Sequence, residues 1–210
     1  MKPKIRILIV DDHSMARVGL AVPINSQPDM SVVAEAGTAP EAVTLYREHL
    51  PDVVTMDYRL VRHTGVQATT AIRAEFPGAR ILFLSVYEGE EDIFRAADAG
   101  ASGYLLKSVD GDILLDAIRR IHTGQTVFPP PLAAKLAARR RRESLTERET
   151  AILRLIVDGR TNKEIALLMK LSDALVKLDV RKILEKMGAQ DRTRAATLAI
   201  ERGIVHPEMG

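Results

Sequence analysis

The sequence predicts a doubly wound α/β domain on a five-stranded parallel sheet, followed by a small all-α domain of four helices. Three observations point there. In residues 1–121, short runs rich in branched aliphatic side chains alternate strictly with longer amphipathic stretches, the pattern of a parallel sheet covered by helices on both faces. From residue 145 on, the apolar spacing is helical, and two Thr-x-x-Glu signatures, Thr146 with Glu149 and Thr161 with Glu164, mark helix starts. The charge also changes sign: residues 1–121 hold 13 Lys and Arg against 17 Asp and Glu, whereas residues 122–210 hold 17 against 11. An acidic unit tends to bind metal or avoid polyanions, and a basic one of this size suggests nucleic acid.

Taken in order, Ile5–Val10, Ser31–Glu35, Val53–Met56, Ile81–Leu84 and Gly103–Leu106 read as strands. Between and after them, Met15–Ile24, Pro40–His49, Val66–Phe76, Glu91–Ala99 and Asp112–His122 carry helical spacing, with punctuation at Thr38 and Gly100. Pro23 should kink or end the first helix. Residues 1–122 therefore form the first domain. Thr123–Ser144, with Gly124, Pro129–Pro131 and the run Arg139–Arg142, reads as a linker with a helical portion. Its arginines read as a solvated stretch, with phosphate contact as the alternative. Residues 145–210 form the second domain. Its third helix opens at Ser172 and Asp173 and its fourth at Asp191. Helix two ends near Met169, so the connection to helix three has the length of a helix-turn-helix.

Composition removes several chemistries. The 210 residues contain no cysteine, which excludes disulfides, thiolate metal sites and cysteine nucleophiles. The apolar runs are short, and the basic N-terminus leads straight into Asp11 and Asp12, which places the chain in the cytoplasm, away from the membrane.

Open α/β sheets bind ligands at the carboxyl ends of their strands. Asp11 and Asp12 follow the first strand, Asp57 the third, Ser85 the fourth and Lys107 the fifth. Three carboxylates, a hydroxyl and an ammonium thus converge on one crevice. The carboxylates repel one another unless a cation neutralises them, and a hard oxygen set of this size suits Mg²⁺. Lysine and metal together would offset the charge of an incoming phosphoryl group.

The segments IRILIVDDHSMARVGL, VVTMDYRL, ILFLSV and GASGYLLK resemble the receiver domain of bacterial two-component response regulators across essentially all of residues 4–122. The resemblance implies a flavodoxin-like fold, Asp57 as phosphoacceptor, Asp11 and Asp12 holding Mg²⁺ together with Asp57, Ser85 sensing the phosphoryl group and Lys107 pairing with it. It makes Tyr104 the aromatic switch residue; the plainer alternative is a strand aromatic packed on a helix. An aspartyl phosphate adds negative charge and acceptor oxygens within reach of Ser85 and Lys107, enough to bias a two-state surface. The chain departs from the family at Val61, where proline is usual, and at Thr64, where an acidic residue is common. Arg59 and Tyr87 fall at positions that tune phosphoryl lifetime in that family.

Residues 145–205 resemble the LuxR-type four-helix DNA-binding domain of the NarL/FixJ class of response regulators. A 100° wheel puts Val176, Val180, Ile183 and Met187 of helix three on the core side, leaving Ala174, Lys177, Leu178, Arg181 and Lys182 outward. The resemblance sends this helix into the major groove, where Lys177 or Arg181 would donate to guanine and Leu178 would touch a thymine methyl. The candidate DNA-binding set is Thr161, Asn162 and Lys163 for phosphates, with Val176, Lys177, Leu178, Arg181 and Lys182 from helix three, although Val176 stands on the core side of the wheel. The family's Thr-Val-Lys-x-His reads Leu175 to Asp179 here. Both departures fall on the helix flank, where Asp179 should weaken phosphate binding unless it accepts from a cytosine N4. The resemblance makes helix four the dimerisation helix, through Ala195, Ala196, Leu198 and Ala199; packing within the monomer is the alternative. A two-fold dimer predicts an inverted-repeat site.

The leading expectation is a non-enzymatic transcription regulator in which a histidine kinase phosphorylates Asp57 and the basic domain, released or dimerised, binds double-stranded promoter DNA. A Mg²⁺-dependent phosphatase is the competing enzyme reading; it fits poorly, because such an enzyme would carry Asp-x-Asp after its first strand. A third reading is an atypical regulator whose DNA helix is degraded at Leu175 and Asp179 and which signals through protein contacts.

Overall fold

The structure is a computed structural model that describes residues 3–206. The described residues divide into two compact units, one of those up to 88 together with 93–133 and one of 89–92 together with those from 134 on. No helix among the described residues is long and apolar enough to cross a membrane.

The first unit is built on five parallel strands: β1 (Ile5–Val10), β2 (Met30–Ala36), β3 (Val53–Asp57), β6 (Ile81–Ser85) and β7 (Gly103–Leu106), in the order β2-β1-β3-β6-β7. Helices α1 (Ser14–Asn25), α2 (Ala39–His49), α3 (Gly65–Glu75), α4 (Glu90–Asp98) and α5 (Gly111–His122) alternate with them. Every residue of β3 and β6 is buried, which is why both are predominantly apolar, apart from Thr55 and the terminal Asp57 and Ser85. Ile7, Ile9, Val53, Leu82 and Leu105 meet Leu114, Ile118 and Ile121 of α5 in the core. Burying such side chains contributes roughly 1.5–3 kcal/mol each. Pro23 does not end α1, which runs two residues further to Asn25.

Between β3 and α3 the chain makes a small antiparallel hairpin, β4 (Arg59–Leu60) with β5 (His63–Thr64), turning at Arg62 with φ +62. Thr64 then caps α3 in a reciprocal box with Gln67. The box satisfies two amide groups at once.

The chain does not leave the sheet at residue 122. After α5 it returns to the outer side of β7, where Val127 forms a parallel bridge with Gly103. The Tyr104 N–H donates to the Val127 carbonyl at 3.0 Å, and the Val127 N–H to the Ser102 carbonyl at 2.9 Å. The stretch read as linker therefore begins as part of the sheet and continues as helix α6 (Pro130–Arg140). Nor is its arginine run uniformly solvated: Arg139 is 8% exposed and donates to Ser144 Oγ at 3.1 Å, while Arg140, Arg141 and Arg142 are exposed.

The second unit holds α7 (Glu147–Val157), α8 (Asn162–Met169), α9 (Asp173–Met187) and α10 (Arg192–Glu201). Both Thr-x-x-Glu pairs form capping boxes, Ser172 caps α9, and Asp191 caps α10. Gly188 closes α9 at φ +63, a conformation that costs glycine little. Ile152, Ile156, Ile165, Val176, Ile183 and Leu198 are among the side chains of its core.

Candidate phosphoryl-transfer site and nucleic-acid interface

β1 and β3 are neighbours in the sheet, so their ends deliver Asp11 and Asp57 side by side. Lys107, just beyond β7, reaches back to both. Its Nζ lies 2.7 Å from Asp11 Oδ2 and 2.8 Å from Asp57 Oδ2. Asp11 is 1% and Asp57 8% exposed. Burial pushes the Asp57 carboxyl above the ordinary aspartate value, and the Lys107 hydrogen bond and charge only partly offset it. Burial would lower the Lys107 ammonium, but its bonds to the two carboxylates outweigh that and hold it above the ordinary lysine value.

Asp11, Asp12, His13 and Asp57 each offer a ligand atom, all within 4.8 Å of one another. Asp12 Oδ1 is shielded from solvent and accepts no hydrogen bond, although His13 Nδ1 stands 2.8 Å away at ion-pair distance. A buried carboxylate oxygen without a hydrogen bond is costly, and a hard cation at this cluster would satisfy it. The predicted set Asp11, Asp12, Asp57 and Lys107 is thus brought together.

Ser85 ends β6 and is fully buried, and its Oγ accepts the Tyr87 N–H at 3.0 Å. Tyr104 is also fully buried, and its hydroxyl donates to the Tyr87 carbonyl at 2.8 Å. Ser85 and Tyr104 therefore hold the same residue, Tyr87, through the peptide groups on its two sides. Around Tyr104 lie Phe83, stacked at 6.1 Å with an interplanar angle of 8°, and Tyr58, edge-on at 6.5 Å. Arg59 Nη1 donates to the Tyr87 hydroxyl at 3.0 Å, so these two side chains touch each other.

Sequence reasoning missed Gly65 and Arg17. A Cβ at Gly65 would lie 2.0 Å from the Asp57 carbonyl oxygen, so the hairpin that returns the chain to the acceptor tolerates only glycine. Arg17 Nη1 donates to the Asp11 carbonyl at 2.7 Å and fixes the main chain under the acidic cluster. Neither is marked by any local pattern.

On α9, the side chains of Lys177 and Arg181 are 66% and 80% exposed, and Leu178, Lys182 and Ala174 are exposed as well. Lys177 pairs with Asp173 at 2.8 Å and Arg181 with Glu185 at 3.3 Å. Thr161, Asn162, Lys163 and Lys177 line one groove with Arg160 and Arg192, bringing the start of α8 and the outer face of α9 together.

Three sets of expectations change. Val176 is fully buried in the helical core, so it leaves the DNA-facing set. Asp179 is not on an exposed flank: it is 1% exposed and faces α7, where Arg148 Nε stands 2.9 Å from its Oδ2 and Nη2 donates to Oδ1 at 3.1 Å. In α10, Ala195 and Ala199 are fully buried and Leu198 is 7% exposed, so these three pack within their own unit rather than against a second copy. Ala196 alone of the four is partly exposed.

The family described as "Response regulator receiver domain" matches residues 7–119, and that described as "Bacterial regulatory proteins, luxR family" matches residues 143–199. Over 206 residues the chain is 36% identical to the response regulator protein VraR of Staphylococcus aureus strain Mu50, covering 96% of this chain and 99% of that protein. The crystal structure of the response regulator ChrA of a heme-sensing two-component system is 34% identical, with TM-score 0.56 over 96% of this chain and 99% of that one. A LuxR-family response regulator from Aurantimonas sp. SI85-9A1 is 42% identical, with TM-score 0.62 over 65% of this chain and 98% of that one. The response regulator RcsB in complex with DNA, 19% identical with TM-score 0.68 over 94% of this chain and 98% of that one, shares the fold.

Proposed function

This chain belongs to the two-component response regulators that carry a LuxR-type DNA-binding domain, and on that premise we propose that phosphoryl transfer from a histidine kinase to Asp57 switches its binding to promoter DNA. The observation that carries the reading is the convergence of Asp11, Asp57 and Lys107 within 2.8 Å contacts. An Asp57 carboxylate oxygen forms the new O–P bond while the donor's N–P bond breaks, and the released imidazole takes up a proton. Lys107 would pair with the arriving phosphoryl oxygens. Asp11, Asp12 and Asp57 would hold Mg²⁺, which when bound supplies charge neutralisation at the phosphoryl group. Ser85 is the hydroxyl expected to turn toward the new oxygens. In doing so it would release the Tyr87 N–H that it now accepts, and Tyr104 bears on the carbonyl of the same residue.

The DNA reading rests on the exposed basic face of Lys177, Arg181 and Lys182 together with the Thr161–Lys163 turn. The inward position of Asp179 takes away the main ground for a degraded recognition helix. Two copies on DNA would read an inverted repeat, and a cytoplasmic site goes with that role. The test is genome-wide DNA capture by the purified protein, with and without acetyl phosphate and Mg²⁺, alongside Asp57→Ala. Enrichment of a shared inverted repeat, enhanced by phosphodonor only when Asp57 is present, is the expected result; capture of no preferred sequence in either state overturns it.

A further inference from the structure

Arg192 opens α10 and sends its guanidinium to the start of α8. Nη1 donates to Asn162 Oδ1 at 3.0 Å, and Nη2 donates to the Arg160 carbonyl. It thus grips both neighbours of Thr161. Inside the turn, a separate brace is already present: the Thr161 N–H donates to Glu164 Oε2 at 2.7 Å, and the Thr161 hydroxyl accepts from the Glu164 N–H. The capping box already satisfies the Thr161 and Glu164 amides, and the Arg192 brace reaches two acceptors that the box does not use. A guanidinium is a donor without acceptors, so only the oxygen of the Asn162 amide can face it. The two Nδ2 hydrogens are then left for the groove that Asn162 lines with Lys163 and Lys177. An amide held this way offers donors, the complement of a phosphate oxygen.

We infer that Arg192 is a positioning residue for DNA-backbone recognition, orienting the Asn162 amide and the Arg160 main chain rather than contacting DNA itself. The inference rests on the reading that this unit binds duplex DNA. Lysine at this position keeps the charge but cannot make the forked contact to two acceptors, and that difference separates positioning from a direct phosphate contact.

The experiment uses the full chain, a 30-base-pair mixed-sequence duplex over a salt series, and the variants Arg192→Lys, Asn162→Ala and their combination. Arg192→Lys should weaken binding about tenfold, the scale of a lost charge-assisted hydrogen bond. The slope of log affinity against log salt should stay unchanged, because no phosphate-contacting charge is lost. In the Asn162→Ala background the same change should cost no more than about twofold, since coupled residues are not additive. Wild-type affinity in Arg192→Lys, or full additivity with Asn162→Ala, overturns the inference. A second readout needs no DNA: the Asn162 side-chain amide resonances should shift in Arg192→Lys while the thermal midpoint holds. Unmoved resonances also overturn it. Failure of the wild-type chain to bind any duplex in a salt-dependent way would instead sink the DNA-binding reading and leave the resonances to decide the positioning claim.

Discussion

Removing Arg148 tests whether the carboxylate of Asp179 in α9 is structural or faces the nucleic acid. Asp179 is almost wholly buried, and Arg148, half exposed from α7, meets it through both Nε and Nη2. Deleting one partner of a fully buried pair costs about 3–5 kcal/mol, because a charge is left without compensation. Here water can follow the shortened side chain, so Arg148→Ala should cost about 2 kcal/mol, roughly 30-fold in the folding equilibrium of the helical unit. Asp179→Asn keeps shape and an acceptor and should cost about 1 kcal/mol. For DNA the expectations differ sharply. Were Asp179 about 5 Å from a phosphate, neutralising it would gain about 1–3 kcal/mol and tighten binding at least fivefold. Buried against α7, it should change affinity by less than about twofold and leave the salt slope alone. All four tyrosines and all four phenylalanines lie at or before residue 128, so aromatic signals report only on the first unit. Hydrogen exchange of peptides from α7 and α9, with DNA titration beside it, is the suitable assay. Unchanged exchange in Arg148→Ala, or tighter DNA binding by Asp179→Asn, refutes the reasoning.

Two further outcomes follow from the acceptor site. Because burial holds the Asp57 carboxyl above its ordinary value, protonation of this group is more favourable in the folded chain than in the unfolded one. This group therefore adds stability below its unfolded value and loses that contribution as pH rises through the raised one. The carboxylate is the nucleophile, so phosphorylation by acetyl phosphate should fail as pH drops through that raised value, and Lys107→Met should move the acid limb higher; a limb that stays in place removes Lys107 as the opposing charge. Gly65→Ala places a Cβ 2.0 Å from the Asp57 carbonyl oxygen and should slow phosphorylation about 100-fold by displacing the acceptor, measured by acyl-phosphate labelling with circular dichroism to confirm folding; near-normal labelling would show that the hairpin yields.

The parts of the site that the sequence displayed are those whose position follows from topology. An apolar strand ending in aspartate places that aspartate at the carboxyl edge, and parallel order then gathers Asp11, Asp57, Ser85 and Lys107 whatever the intervening helices do. What stayed hidden depends on partners remote in sequence. A helical wheel puts Val176 inside, but it cannot say whether the flank at Asp179 is covered, because the covering residue, Arg148, lies on another helix. Gly65 gives no signal, since its conflict is with the main chain of Asp57 across a hairpin. The alanines of α10 present the same composition whether they meet a second copy or their own core, and only their burial separates the cases. Val127 sits in a stretch rich in glycine, proline and polar residues, whose composition spoke for a linker while its pairing makes it sheet.

That pairing bears on how the first unit survives outside its full chain. An unpaired sheet edge is a template on which another molecule can add a strand, the usual first step toward insoluble aggregates. β7 would be such an edge, and it carries Tyr104 and leads directly to Lys107. Val127 takes up the Tyr104 N–H at the start of its outer side and is itself buried against the core. A fragment cut after His122, where α5 ends, would bare the start of this edge and remove Val127 from the core, whereas one cut after Ala133 would keep both. The few residues beyond the last helix of the first unit thus act as a protective selvage on its sheet.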